Sequence, residues 1–173
     1  MTKSLSIDSG ALAIPEPDAG GVRVYKGIPY AAPPIGWLRW RPPEPVAPWT
    51  GSRPAHEFGA HSVQGVVWDD IDLSGAATSE DCLHLNVWTP AAPGDGAQLP
   101  VMVWIHGGGF VVGSGAEPRY DGARLAARGI VVVTVNHRLN ALGFLAHPEL
   151  TAESEHHSSG AYGFLDLVAA LEW

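Results

Sequence analysis

The chain has 173 residues, enough for about one domain, with 46% hydrophobic and 16% charged residues; intrinsic disorder and solvated coiled coils need far more charge and are excluded. Ten Lys and Arg against 18 Asp and Glu give a net charge of -8, which leaves no electrostatic footprint for nucleic-acid phosphates or an anionic lipid surface. The single cysteine, Cys82, excludes a disulfide within the chain.

The opening stretch, residues 1–21, carries one lysine, two early prolines and no continuous apolar run. No signal peptide is read there, no segment approaches the ~18 apolar residues of a membrane span, and a soluble cytoplasmic protein is the expectation. Ten of the 15 prolines fall between Pro15 and Pro54. Proline neither donates to a ladder nor continues a helix, so most of this stretch is expected as coil. With Trp37, Trp40 and Trp49 asking for burial, residues 1–60 read as a wrapping segment over a core formed elsewhere, with a short strand at Val22–Lys26.

From Leu83 the pattern changes. Leu83–Thr89 alternates with the period of a strand. Val101–Ile105 and Ile130–Val135 are continuous apolar runs, rich in β-branched residues, and predict strands covered on both faces, as in a parallel sheet. Between them Ala123–Arg128 predicts a short helix closed by Gly129. Strand, helix and strand at this spacing form a βαβ unit with a right-handed crossover. Tyr162–Trp173 carries a helical stripe of Phe164, Leu165, Val168 and Leu171. That helix has no cap and no trailing polar linker, which leads to the expectation that the 173 residues are part of a longer domain.

The motif with chemistry in it is Val101-Met102-Val103-Trp104-Ile105-His106-Gly107-Gly108-Gly109-Phe110. Glycines directly after a buried strand take backbone conformations closed to other residues. Successive N–H groups then converge on one point and stabilise an oxyanion. A flexible glycine linker is the plainer alternative, but such linkers seldom follow a two-face-buried strand directly. An HGGG loop is also the known partner of a nucleophile elbow in esterases.

On these residues the sequence resembles the type-B carboxylesterases, with para-nitrobenzyl-esterase-like bacterial members nearest. Gly27-Ile28-Pro29-Tyr30-Ala31 with Pro33-Pro34-Ile35-Gly36 and Leu38-Arg39-Trp40 is similar to the family's first signature. Ser79-Glu80-Asp81-Cys82-Leu83 with Leu85-Asn86-Val87 is similar to its second. Val135-Asn136-His137-Arg138-Leu139, Leu142-Gly143-Phe144-Leu145 and the final Gly163-Phe164-Leu165-Asp166 complete five blocks in the family's order. The resemblance implies an α/β class chain with an incomplete α/β-hydrolase fold: N-terminal strands, oxyanion loop and first βαβ unit, without the nucleophile elbow and C-terminal half. Residues 1–173 are then the N-terminal part of one domain, with 83–173 starting the central sheet. It implies carboxylic ester hydrolysis through a serine acyl-enzyme, with Gly108 and Gly109 as oxyanion-hole donors and Gly107 shaping the turn. His106 is assigned to loop geometry rather than to base catalysis. Arg39–Glu80 and Arg138–Asp166 are implied as structural ion pairs. No cofactor and no metal are implied, and the partner is a small carboxylic ester.

The departures from the pattern carry expectations of their own. Where many members have a cysteine that pairs with the one at position 82, this chain has Ser62, which fits a reducing compartment. The loop from Ser62 to Cys82, carrying Trp68, Asp69, Asp70, Asp72 and Glu80, is then unstapled. His137 and Asn140 stand where the family usually has Tyr and Gly, and Ala161 and Leu167 where it has Asn and Gln. Asn tolerates left-handed geometry, so the turn at 140 is expected to survive.

A serine hydrolase of this type needs Gly-x-Ser-x-Gly at the strand-to-helix turn, and no serine in the chain has glycine at both -2 and +2. Ser114, between Gly113 and Gly115, has a different spacing. No member of the triad is therefore assigned, and the chain alone is expected to be inactive. His147, Glu149, Glu153, His156 and His157 match no zincin spacing and read as a solvated loop over Thr151–Gly160. Nothing near Cys82 suggests a lowered pKa. Two alternatives stay open: one half of a split esterase whose other chain carries the rest of the domain, and a non-catalytic interaction module with the hydrolase fold.

Overall fold

A computed structural model describes residues 4–65, 71–74, 76–92 and 94–173. Trp68, Asp69 and Asp70 lie outside the described residues.

The centre is a four-stranded sheet in the order β3 (Arg23–Pro29), β5 (His84–Thr89), β7 (Val131–Val135), β6 (Val101–Ile105). The β3–β5 and β5–β7 pairs are antiparallel, and β6 lies parallel to β7 across a connection that contains α1 (Ala123–Ala126). The helix ends at Ala126, two residues short of the expected Arg128, and Gly129, at φ +92°, closes the turn that follows it. A second sheet joins β1 (Ser4–Ile7), β2 (Gly10–Ala13) and β4 (Ser52–Arg53). Three helices follow β7: α2 (Asn140–Phe144), α3 (Pro148–Glu153) and α4 (Tyr162–Glu172).

The period-2 geometry of the strands sorts the core into two faces. On one face Leu85, Val133 and Val135 meet Leu12, Tyr25, Ile28, Leu83 and Ala170. On the other, Trp88 and Val132 pack with Val22 and Ala126. The strand after Leu83 is thus buried on both sides, since Asn86 and Trp88 are as enclosed as Leu85, whereas its alternation suggested one covered face.

Three further expectations are corrected. The β7 run is covered on both faces, but β6 is not: Val101, Val103 and Ile105 are exposed because β6 is the sheet edge and nothing among the described residues packs on that side. The segment 1–60 does more than wrap, because β3 is an edge strand of the main sheet and Leu12, Val22, Tyr25 and Ile28 are core. Of its tryptophans, Trp49 packs on the core and Trp40 donates its indole N–H to the Ala141 carbonyl, but Trp37 is 72% exposed.

The third correction concerns α4. It buries Tyr162, Gly163, Asp166 and Ala170. Its predicted stripe of Phe164, Leu165, Val168 and Leu171 faces outward, 38–61% exposed. The helix docks through its small face because a side chain at 163 would meet the Arg138 carbonyl and the Phe144 ring. That close approach brings Asp166 onto Arg138 and turns the bulky stripe away.

Candidate active site: the glycine loop after β6

The loop 106–113 leaves the C-terminal end of β6, beside the C-terminal end of its parallel neighbour β7. Open α/β sheets place their sites at this edge. Gly108 and Gly109 have φ of +124° and +60°. A Cβ on Gly108 would run into the Val112 carbonyl oxygen, so this turn excludes every other residue at that position. Gly107, the third glycine, does not take a positive φ.

The orientation of the loop's N–H groups follows from peptide planarity, since a C=O and the next residue's N–H point in opposite directions from one plane. The Gly107 carbonyl is 2.9 Å from His106 Nδ1, and a carbonyl only accepts, so Nδ1 carries the proton. That bond fixes the plane whose other end is the Gly108 N–H. The Gly108 carbonyl accepts from the amides of Val111 at 3.0 Å and Val112 at 3.2 Å, which fixes the plane ending in the Gly109 N–H. Neither the Gly108 nor the Gly109 amide has an acceptor among the described residues. Burial pushes the His106 imidazole down to about 4, so it is a neutral donor at ordinary pH and a weak base.

Phe110 also sits in the left-handed region, at φ +61°, a costly conformation for a bulky residue. Its ring is held by Phe144 and Phe164 at centroid distances of 4.9 and 5.2 Å, and edge-on by His137. The loop's far end is gripped by Gln64, whose carboxamide accepts from the Gly113 amide at 2.7 Å and donates to its carbonyl at 2.9 Å.

The other predicted site residues stand apart from this loop as scaffold. Arg39 donates twice to the Glu80 carboxylate, at 2.6 and 2.7 Å; those bonds hold Glu80 below and Arg39 above their usual values. Arg138 and Asp166 form a buried bidentate pair at 2.6 and 2.8 Å, and the Arg138 amide also donates to Asp166.

Ser114 lies 2.7 Å from His61 Nδ1, a contact with the look of a catalytic dyad. Both residues are fully buried, however, and Ser114 Oγ also accepts the Ala116 amide. His61 Nε2 faces the Leu73 carbonyl, and Asn136 completes the knot with the Ser114 hydroxyl and the Gly115 amide. This is a structural network behind the loop.

Cys82 is buried, and burial pushes its thiol up to about 12, which removes it as a nucleophile. Among the described residues no group of three His, Cys, Asp or Glu is arranged to hold a metal. The segment read as a loop over 151–160 begins inside α3, whose N-terminus is capped by His147. No helix among the described residues is long and apolar enough to cross a membrane.

Sequence reasoning missed His61, Gln64 and Asn136 as loop partners. Their only signal is polarity next to glycine-rich or strand-end segments.

Comparison with known proteins fits this loop and scaffold. The sequence profile of the carboxylesterase family matches residues 10–173. Fumonisin B1 esterase of Sphingopyxis macrogoltabida is 51% identical over 154 residues, 89% of this chain and 28% of that protein. Para-nitrobenzyl esterase of Bacillus subtilis (strain 168) is 46% identical over 157 residues, 88% of this chain and 30% of that protein. Among solved structures, a thermophilic para-nitrobenzyl esterase superposes with a TM-score of 0.85 at 39% identity, covering 100% of this chain and 35% of the other. A carboxylesterase from Geobacillus stearothermophilus does so with a TM-score of 0.85 at 44% identity, covering 98% of this chain and 33% of the other. The chain thus spans about a third of the length of the proteins it matches. It belongs to the carboxylesterase family, and its architecture is part of the α/β-hydrolase fold.

Proposed function

We propose that this chain supplies the oxyanion-binding part of a carboxylic ester hydrolase with a serine nucleophile, and that residues outside it supply the triad. The observation carrying this reading is the pair of N–H groups on Gly108 and Gly109, each aimed by a fixed carbonyl on the opposite side of its peptide plane and neither taken by the described residues. When a serine oxygen attacks an ester carbonyl, charge gathers on the carbonyl oxygen. Donors already in place around that oxygen stabilise the tetrahedral intermediate without reorganising. His106, neutral and bonded to Gly107, acts as a positioning residue for the Gly108 amide. In hydrolases with a nucleophile elbow a further donor is the residue after the serine.

The substrate in this reading is a small carboxylic ester, and no cofactor takes part. The unpaired Cys82 supports a reducing, cytoplasmic compartment. The exposed β6 edge and outward stripe of α4 favour cover by further hydrolase polypeptide, continuous with this chain in the primary reading and a separate chain in the split alternative.

The test is a chimera in which this chain replaces the matching third of the Bacillus subtilis para-nitrobenzyl esterase. It is expected to hydrolyse p-nitrophenyl acetate, to be silenced by a fluorophosphonate, and to lose about a hundredfold or more in kcat on Gly109→Pro, which removes a donor N–H and cannot keep the turn at φ +60°. The 173-residue chain alone is expected to show no fluorophosphonate-sensitive turnover. A folded but inactive chimera, or sensitive turnover by the chain alone, would overturn the reading.

A further inference from the structure

Asn140 opens α2 at φ +53° and joins three separate stretches of chain. Its backbone N–H donates to the Phe110 carbonyl at 2.8 Å. Its side-chain Nδ2 donates to the Val111 carbonyl at 2.8 Å and to the Val63 carbonyl at 3.2 Å. A carboxamide nitrogen has two hydrogens, so its donor capacity is spent on these two carbonyls.

The peptide planes turn these bonds into a relay. The Phe110 carbonyl shares its plane with the Val111 N–H, and the Val111 carbonyl shares its plane with the Val112 N–H. Those two N–H groups are the ones that hold the Gly108 carbonyl. The Gly108 carbonyl in turn shares its plane with the Gly109 N–H. Asn140 therefore grips, through backbone and side chain, both peptides that aim Gly109, and it braces them against the strap at Val63.

We propose that Asn140 is a positioning residue for the glycine loop, its carboxamide fixing the direction of the Gly109 N–H through the Val111–Val112 peptide. The proposal rests on the oxyanion-binding reading of that loop. Glycine at 140 would keep the left-handed turn without strain and remove only the carboxamide. Aspartate would keep the shape and tolerate the turn, but its ionised carboxylate can only accept, and it would face two carbonyls.

The test has two arms. In the para-nitrobenzyl esterase chimera, Asn140→Gly, which installs the residue the family usually carries there, is expected to lower kcat for p-nitrophenyl acetate about three- to tenfold while KM stays within about twofold, because misdirecting the donor affects the transition state more than binding. Asn140→Asp is expected to show a similar loss at pH 8, with its kcat relative to the Asn140 chimera rising as the pH is lowered and the carboxyl becomes a donor. In the 173-residue chain itself, amide exchange followed by NMR is expected to speed up at least tenfold at Val112 in Asn140→Gly, with β7 amides unchanged. An active chimera whose kcat is insensitive to Asn140→Gly, or an unchanged Val112 exchange rate, would overturn the proposal. A folded but inactive parent chimera would count against the esterase reading instead, and Val112 exchange would then decide the role of Asn140 alone.

Discussion

The imidazole of His137 lies flat against that of His106, ring centroids 4.9 Å apart and planes 10° from parallel. Each ring's Nδ1 meets a backbone carbonyl, Gly107 for His106 and Arg138 for His137. Both are thus held as neutral donors directly beneath the glycine loop.

That stack makes the fold acid-sensitive. Burial lowers His137, and it takes His106 from the usual 6.5 down to about 4, with the bond to the Gly107 carbonyl and then Glu117 opposing and the neighbouring imidazoles reinforcing the shift. The unfolded chain accepts a proton near pH 6.5, whereas folded His106 accepts it only near pH 4. The folded state binds fewer protons across that window, so its stability is full above the window and falls as the pH drops through it. The loss from His106 alone is roughly 3 kcal/mol. Urea midpoints of the dilute chain, measured from pH 7.5 to 4.5, should fall steadily. A His106→Asn variant should show a shallower slope.

The buried pair of Arg138 and Asp166 fixes where α4 docks. Asp166 accepts three hydrogen bonds, all from Arg138, and Arg138 also donates to the Arg41 carbonyl. Removing one partner leaves a charge without solvent or counter-ion, which costs about 3–5 kcal/mol. Asp166→Asn is expected to lower the urea midpoint by a corresponding amount and to loosen α4 first, seen as faster amide exchange at 166–172. Equal stability of the variant and the parent chain would refute this.

What could be read from the sequence divides along physical lines. The β7 run Val131–Val135 and the turn at Gly108 and Gly109 were legible because each rests on local chemistry, β-branching and the missing Cβ. The outward face of α4 was not. Periodicity shows that Phe164, Leu165, Val168 and Leu171 share a side, but not whether their cover lies within these residues, and the small residues Gly163 and Ala170 that make the actual contact leave a weak hydropathic signal. Gln64 and Asn140 reach the loop from 49 and 29 residues away. A single polar side chain acting at that range has no period to detect.

Ser62 offers a covalent test of the same region. Its hydroxyl accepts the Leu139 amide at 3.1 Å, and it opposes the burial that raises the Cys82 thiol. The two side chains close a loop of about 20 residues, so a Ser62→Cys variant refolded from its denatured state under oxidising conditions should form a 62–82 disulfide. That cross-link is expected to stabilise the chain by about 3 kcal/mol relative to its reduced form, measured as a shift in urea midpoint with and without reductant. Failure to oxidise would show that the thiol and hydroxyl do not approach as described.

The outward stripe of α4 sets how the chain behaves in isolation. Phe164, Val168 and Leu171 are 50%, 49% and 61% exposed, and the open β6 edge adds Val101, Val103 and Ile105. A contiguous apolar surface beside an unpaired strand edge favours self-association. The purified chain is expected to sediment as concentration-dependent oligomers. A Leu165→Glu, Val168→Lys, Leu171→Glu triple variant should shift toward monomer with unchanged far-UV circular dichroism, because these side chains point away from the residues that dock α4. If further polypeptide covers that face in the esterase chimera, as proposed, the same three substitutions should destabilise it by several kcal/mol through buried charge. A parent chain that stays monomeric as its concentration is raised, or a triple variant equally harmless in both settings, would show that this surface needs no cover.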